Sequence, residues 1–200
     1  MAQPIEEISP QENLIELLKL FPRQGEWTED DYFNLPETNR IIELSEGRLI
    51  ITPAPTTQHQ RISSKLHLLI GNFVMLNNLG EVCYSPLDVK LWEGIIKQPD
   101  IVFMSNEHRD RITVRYWGVP DLVMEILSES TAKKDRVDKF FEYLKAGVLE
   151  YWIVDPEAKT IEVYTLIKGA YVPYGRWGNG EIAKSKLLDG FKVSVDEIMG

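Results

Sequence analysis

Residues 121–127, with the sequence Asp-Leu-Val-Met-Glu-Ile-Leu, constrain the fold of this chain more than any other stretch. Apolar residues stand on both alternating faces, which is the pattern of a central strand whose sheet is covered on both sides. Glu125 interrupts the run and shares a face with Val123 and Leu127, so its carboxylate is expected to be buried. An unpaired charge in that position is costly. A partner cation, a bound metal or a shared proton would each compensate for it.

The segments around this strand predict an α/β fold. Apolar residues at helical spacing predict a long helix over 56–78 and a second one over 132–146. Short runs rich in β-forming residues predict strands at 40–44, 48–52, 81–84, 87–92, 100–104, 150–154, 161–166, 171–174 and 191–195. The turn Glu93-Gly94 is expected to lead directly into the strand at 100–104.

The order of strand 121–127, helix 132–146 and strand 150–154 is that of a crossover unit. Its two strands are therefore expected to be parallel and joined with the usual right hand. The fold predicted for the whole chain is a mixed central sheet of the restriction-endonuclease-like kind, flanked by helices, with additional antiparallel strands towards the C-terminus.

The chain length of 200 residues and an apolar content of 44% suit one domain with one sizeable core. Residues 10–20 carry leucines at helical spacing behind Ser9 and Pro10, which predicts a peripheral helix. We expect residues 1–27 to form an N-terminal helical extension and residues 28–200 to form a single domain.

Charge and cysteine content limit the possible functions. A formal charge of −9 disfavours unspecific binding to phosphate backbones, although a carboxylate-rich site for divalent metal is acidic by necessity. Cys83 is the only cysteine, so a disulfide framework and a cysteine-based zinc site are excluded. The sequence has no leader and no run long enough to span a membrane, which predicts a cytoplasmic protein without membrane contact.

Asp100 is the second acidic residue of interest. It lies between Gln98-Pro99 and the apolar run 101–104, at the mouth of a predicted strand. Glu125 lies one predicted strand later in the sequence. Two carboxylates on neighbouring strands would suit Mg²⁺, which takes oxygen ligands and keeps several waters. From the residues alone, a structural ion pair or an exposed Asp100 is favoured over a metal site.

Several blocks follow one another in an order that resembles the Uma-type family of putative endonucleases, within the PD-(D/E)XK restriction-endonuclease-like superfamily. The resemblance covers about residues 28–195. The blocks are Glu43, Gln98-Pro99-Asp100-Ile101, residues 120–128, Asp135 with Lys139, and residues 147–156.

The resemblance implies that Asp100 and Glu125 hold a catalytic Mg²⁺ or Mn²⁺, and that Glu43 supplies a further acidic ligand or a base. The superfamily pattern has a lysine two residues after the second acid, where this chain has Leu127. Lys139, on the following helix, matches the relocated lysine of this family. It would orient or deprotonate the attacking water and offset the charge on the phosphoryl oxygens.

A structural role for Lys139 stays open at this point. At 100° per residue the core stripe of its helix consists of Val137, Phe140, Phe141 and Leu144. Lys139 falls off the centre of that stripe, beside Tyr143, and could simply pair with Asp135 one turn earlier. Lys133 and Lys134 could also take the place of Lys139. Further residues expected to line a site are His59, Gln60, Asp135 and Tyr143.

The function expected from this resemblance is that of a metal-dependent endonuclease, a hydrolase acting on the phosphodiester bonds of DNA. The alternative is an inactive nuclease-like fold that serves as a binding or dimerisation module, with its acidic residues held in salt bridges. Hydrolysis of another phosphate ester by the same metal site is a third possibility. A homodimer is plausible, because cutting both strands of a duplex needs two sites.

Overall fold

The computed structural model describes residues 21–36, 38, 40–129 and 131–200. The helix predicted at 10–20, and with it most of the predicted extension 1–27, lies outside the described residues. Within the described ranges, no helix is long and apolar enough to cross a membrane.

The predicted alternation of helices and strands is confirmed. The helices are α1 (Glu29–Phe33), α2 (Thr57–Leu76), α3 (Lys139–Ala146) and α4 (Val195–Met199), with a 3₁₀ turn at Asn106–Arg111 and a π turn at Lys134–Asp138. The strands are β1 (Ile41–Ser45), β2 (Arg48–Thr52), β3 (Gly80–Tyr84), β4 (Val89–Trp92), β5 (Ile95–Lys97), β6 (Ile101–Ser105), β7 (Leu122–Ile126), β8 (Glu150–Asp155), β9 (Thr160–Ile167), β10 (Ala170–Trp177), β11 (Ile182–Lys184) and β12 (Lys192–Ser194).

The described strands form three sheets. The largest is a six-stranded mixed sheet with the order β10-β9-β8-β7-β6-β3, in which β7 and β8 are parallel as predicted. A four-stranded antiparallel sheet has the order β2-β1-β5-β4, and β11 pairs with β12. The α/β fold class is therefore confirmed, and the four-stranded sheet is a separate unit that carries the first hairpin.

Strand β7 lies inside the six-stranded sheet, and all five of its residues are buried. On one face Leu122, Met124 and Ile126 pack in the core that also contains the inner face of α2. On the other face Val123 packs in a second core with Tyr143 of α3. Both faces are covered, as the two-sided apolar pattern predicts.

The prediction that the turn Glu93-Gly94 leads directly into the strand at 100–104 is wrong. The turn joins β4 to β5, which pairs with β4 and β1 in the four-stranded sheet. Residues 98–100 then carry the chain from that sheet to β6 in the other. A strand of three residues with a proline two positions after its end is too short to be separated from its neighbours by periodicity.

The core stripe predicted for helix 132–146 is wrong for Val137 and Phe141, whereas Phe140 packs against the second core. Phe141 is 62% exposed and Val137 is 43% exposed, whereas Lys139 and Tyr143 are buried. Lys139, Phe141 and Tyr143 all lie within the regular helix α3, so the error is in the choice of the inward face. The helix turns Lys139 and Tyr143 towards Glu125 and leaves Phe141 on the opposite side. The buried face of α3 carries polar groups, the ammonium of Lys139 and the hydroxyl of Tyr143, because both donate hydrogen bonds to Glu125.

Glu150 joins the end of the chain to the six-stranded sheet. It is fully buried at the start of β8. Its Oε1 accepts hydrogen bonds from Trp152 Nε1 at 2.7 Å and Ser185 Oγ at 2.6 Å, and its Oε2 accepts from the backbone amides of Lys186 at 2.7 Å and Leu187 at 2.8 Å. Four donors thus replace the water that the carboxylate loses.

We expect Glu150→Gln to lower the free energy of unfolding by about 3 kcal/mol. Either orientation of the amide turns an NH₂ group towards two donors, and buried donors are left without an acceptor. Urea unfolding followed by circular dichroism measures the change, with Glu157→Gln at an exposed turn as the control. Equal stability of the two variants would contradict this account of the carboxylate.

Candidate active site

A cavity of about 590 Å³ opens between the two larger sheets and the first turn of α2. Strand β1 of the four-stranded sheet contributes Glu43, and Asp100 and Glu125 come from the six-stranded sheet. The π turn and α3 close the opposite side. The residues proposed from sequence that line this cavity are Glu43, His59, Asp100, Glu125, Asp135 and Lys139.

Asp100 and Glu125 lie side by side because β6 and β7 are antiparallel neighbours with Ile101 opposite Met124. Asp100 is 9% exposed. Its Oδ2 accepts hydrogen bonds from the backbone amide of Ile126 at 2.7 Å and lies 3.1 Å from His59 Nε2. Both contacts use the same oxygen and fix the orientation of the carboxylate.

His59 is held in this position by the start of α2. Thr56 caps the helix, and its hydroxyl accepts a hydrogen bond from the His59 amide at 3.2 Å. The imidazole therefore projects from the first turn towards Asp100. Its Nδ1 is buried without a hydrogen-bond partner in the described part of the chain.

Glu125 is 3% exposed, and its Oε1 accepts two short hydrogen bonds from α3. Lys139 Nζ donates at 2.7 Å, and the Tyr143 hydroxyl donates at 2.6 Å. Lys139 and Tyr143 are four residues apart and therefore lie on the same side of the helix. The partner cation expected for the buried carboxylate is thus present, and it is the lysine selected by the resemblance.

Glu43 reaches the same lysine from the four-stranded sheet. It is 1% exposed and forms salt bridges with Lys134 and, at 3.3 Å, with Lys139 Nζ. Its Oε1 also accepts a hydrogen bond from the backbone amide of Gln98 at 3.2 Å. Carboxylates from two different sheets therefore meet at one ammonium group.

The π turn accounts for the presence of both lysines on one side. In a regular α-helix with 3.6 residues per turn, residues 134 and 139 would point about 140° apart. The π turn between them takes one extra residue into the turn, so Lys134 and Lys139 both reach Glu43. Asp135 also faces inward, with Oδ1 3.4 Å from Lys139 Nζ.

A buried ion pair holds the two sheets in this arrangement. Lys97 on β5 is 1% exposed, and its Nζ lies 2.8 Å from Glu142 Oε1 on α3. Ser45 Oγ donates to the same carboxylate at 3.4 Å. The four-stranded sheet is thereby attached to the helix that carries Lys139.

The carboxylates differ strongly in their affinity for protons. Burial alone would raise the pKa of Glu43, but Lys139, Lys134 and Lys97 lower it to about 2. Burial raises the pKa of Glu125 to about 8, and Asp135 contributes in the same direction against the effect of Lys139. Glu43 therefore releases its proton far more readily than an ordinary glutamate, and Glu125 far less readily.

The raised pKa of Glu125 makes stability dependent on pH. With a folded pKa of about 8 and an ordinary value of 4.5, Glu125 stabilises the folded chain at low pH, and this contribution is lost as the pH rises through 8. Without divalent metal, we expect the free energy of unfolding of the wild type to fall between pH of about 5 and 8 relative to that of Glu125→Gln. Urea unfolding at both pH values measures this. Parallel pH profiles would contradict it.

The candidate donors can be compared with the needs of a divalent cation. Among the described residues, no three His, Cys, Asp or Glu side chains are placed to hold one ion. Lys139 lies among the carboxylates instead. The donor chemistry still fits, because the acidic side chains offer only oxygens, as Mg²⁺ and Mn²⁺ prefer, and Asp135 Oδ1 is buried without a hydrogen bond, with Lys139 Nζ 3.4 Å away.

Two residues selected from sequence lie outside the cavity lining. Gln60 is exposed on α2, and Tyr143 acts behind Glu125. Sequence reasoning did not select Gln98 or Lys97, although Gln98 directly precedes the Pro-Asp pair. Lys97 is a lysine inside an apolar run, which signals a buried pair without naming its partner.

Comparison with known proteins gives a consistent picture. The model of the Uma2 family, described as "Putative restriction endonuclease", matches residues 29–196. A crystal structure of a putative nuclease belonging to DUF820 from Anabaena variabilis superimposes with a TM-score of 0.71, at 21% sequence identity, over 86% of this chain and 97% of that chain. At this identity the likeness establishes the fold. No curated protein matches the sequence.

Proposed function

This chain belongs to the Uma2 family of putative restriction endonucleases, and from that membership we propose that it is a metal-dependent endonuclease hydrolysing the phosphodiester bonds of DNA. One observation supports the proposal most. The carboxylates of Glu43, Asp100 and Glu125 and the ammonium of Lys139 line one cavity, although they come from two sheets and a helix. Such a convergence of acids with a buried lysine is a feature of catalytic sites more than of ordinary cores.

Asp100 and Glu125 are the residues that would hold Mg²⁺ or Mn²⁺, with Glu43 as a further acidic ligand or base. A divalent ion bound there lowers the pKa of a coordinated water and polarises the phosphoryl oxygens. His59 and the amide of Ile126 orient Asp100, and Tyr143 orients Glu125.

Lys139 has a separate task in the proposed mechanism. Its ammonium stays protonated, because Glu125 and Glu43 raise its pKa well above the usual value although burial acts against this. It is therefore a poor general base. It instead positions the attacking water by donating hydrogen bonds and offsets the negative charge that develops on the phosphoryl oxygens.

The proposal is tested by a cleavage assay on plasmid DNA with Mg²⁺, with Mn²⁺ and with EDTA. Conversion of supercoiled DNA to nicked or linear forms is expected with either metal and not with EDTA. Titration calorimetry with Mn²⁺ provides a second readout, and we expect Asp100→Asn to weaken the binding by more than tenfold. Cleavage that is unaffected by EDTA would refute the metal dependence.

One observation favours the second candidate, an inactive module with a nuclease-like fold. Both oxygens of Glu43 lie in salt bridges with Lys134 and Lys139, so this acid is already satisfied without metal. The short contact between Lys139 and Glu125 favours the catalytic reading instead, because it places the lysine beside the candidate metal ligands. If titration calorimetry detects no heat of binding with Mn²⁺ at millimolar concentration, the inactive module is the correct assignment.

The finer parts of the proposal stay predictions. DNA as the substrate, Mg²⁺ or Mn²⁺ as the ion, residues 28–200 as one domain, the cytoplasmic location and the homodimer are each open to direct measurement. Analytical ultracentrifugation of the full chain addresses the homodimer.

A further inference from the structure

The geometry points to single-stranded DNA, or a single-stranded end or flap on a duplex, as the substrate of this site. This inference deepens the proposed nuclease function and rests on it. Three features of the cavity carry it: the depth of the acidic residues, the charge of the lining and the apolar surface of one wall.

The acidic residues are almost fully buried in the lining of the cavity, which disfavours a phosphate that remains on the surface of a regular duplex. Asp100 is 9% exposed, Glu125 is 3% exposed and Glu43 is 1% exposed. The scissile phosphate must therefore enter the cavity together with its flanking sugars. A cavity of about 590 Å³ has the size of sites that enclose one small-molecule ligand. A separated strand enters such a space more readily than two paired strands do. Negatively supercoiled plasmid offers short separated stretches, so its nicking is still expected.

Among the described residues, the lining has no unpaired lysine or arginine with which to hold a duplex, and one exposed arginine, Arg40, lies beside the wall formed by Ile41 and residues 53–55. Lys134 and Lys139 are its only lysines among the described residues, and both are paired with Glu43. Proteins that bind duplex DNA neutralise several phosphates with Lys and Arg, and their interfaces are strongly basic. The exposed Glu129 at the cavity adds a further negative charge. Contacts to the sugars and bases must therefore provide much of the affinity.

One wall of the cavity is suited to such contacts. Ile41 of β1 and the segment Pro53-Ala54-Pro55 before α2 present apolar surface to the cavity. Pro53 and Ala54 are exposed, so this surface is available to a ligand. A base could pack on it only after leaving its stack. That step costs a few kcal/mol in a duplex and least where the base is already unpaired.

Binding is measured first, because it does not depend on catalysis. Fluorescence anisotropy in Ca²⁺ compares a single strand of about 15 nucleotides with the blunt duplex of the same sequence. We expect the Kd for the single strand to be at least about tenfold lower. Equal or tighter binding of the duplex would overturn the inference.

The wall is tested with a matched pair of variants. Ala54→Glu places a carboxylate on the exposed apolar wall, and Ala158→Glu makes the same change in charge at an exposed turn on the six-stranded sheet. Binding of the single strand is expected to weaken about tenfold in the first variant and to stay unchanged in the second. Equal effects of the two substitutions would remove the wall from the binding site.

Cleavage of a duplex with a single-stranded tail, in Mn²⁺, separates this inference from the nuclease proposal. Cuts confined to the tail support both. Cuts spread equally over tail and duplex overturn the strand preference and leave the nuclease proposal standing. Preferential binding of the single strand without any cleavage supports the strand preference and refutes the nuclease function.

Discussion

Asn in place of Asp100, or Gln in place of Glu125, is expected to lower the rate of Mn²⁺-dependent DNA cleavage by about a thousandfold. Each substitution keeps the shape of the side chain and removes one negative charge from the pair of candidate metal ligands. A neutral amide is a weaker ligand for a hard cation than a carboxylate. The rate is measured by the nicking of supercoiled plasmid under single-turnover conditions.

Glu157→Gln is the matched control, because it removes the same charge at an exposed turn. Its cleavage rate should equal that of the wild type. Circular dichroism of all three variants verifies that the fold is retained, and the retained hydrogen bond between Ile126 and position 100 favours this. Activity near the wild-type level in both site variants would refute the assignment of Asp100 and Glu125 as catalytic.

Lys139→Met is expected to produce the largest loss of stability, about 3–5 kcal/mol without divalent metal. Lys139 is 6% exposed and pairs with Glu125, Glu43 and Asp135. Methionine fills a similar volume but leaves these buried carboxylates without their common cation. The free energy of unfolding in urea at pH 8 measures the loss. Cleavage should be lost in the same variant.

The same variant distinguishes a metal site from a purely structural ion pair. A divalent ion held by the carboxylates would replace part of the missing positive charge, so Mn²⁺ should restore stability to Lys139→Met more than it stabilises the wild type. Lys133→Met, at an exposed position on the preceding turn, should unfold like the wild type with and without Mn²⁺. If Mn²⁺ leaves the stability of Lys139→Met unchanged, the carboxylates do not hold a metal.

The position of the lysine has a structural explanation in this fold. The residue two positions after Glu125 is Leu127, which is buried in the core beneath α3. An ammonium group is instead supplied by α3, from the helix that follows the strand. The sheet position is therefore free for an apolar side chain, and the helix brings the charge to the same carboxylate.

The two sheets divide the site between them. The six-stranded sheet supplies Glu125 from β7 and holds Asp100 directly before β6, and the four-stranded sheet supplies Glu43. The ion pair of Lys97 with Glu142 fastens the second sheet to α3. A shift of one sheet against the other would separate Glu43 from Lys139, so this pair maintains the geometry of the cavity.

The sequence by itself determined the parts of the protein that follow from local periodicity. The burial of β7 on both faces, its parallel partner β8 and the adjacency of Asp100 and Glu125 could all be predicted, because alternation and short connections restrict what a strand can pair with. Lys139 was selected as the site lysine because its place in the order of sequence blocks resembles that of the family. Helical periodicity alone predicted that Lys139 lies off the centre of the core-facing side of its helix.

Only the tertiary structure decided how the remaining residues meet. The π turn brings Lys134 and Lys139 to Glu43, and the contacts of Lys139 and Tyr143 with Glu125 leave Phe141 on the exposed side of α3. The separation of β5 from β6 places Glu43 in a different sheet from Asp100. Both depend on packing between elements distant in sequence, where the free energy of pairing buried charges outweighs local preference.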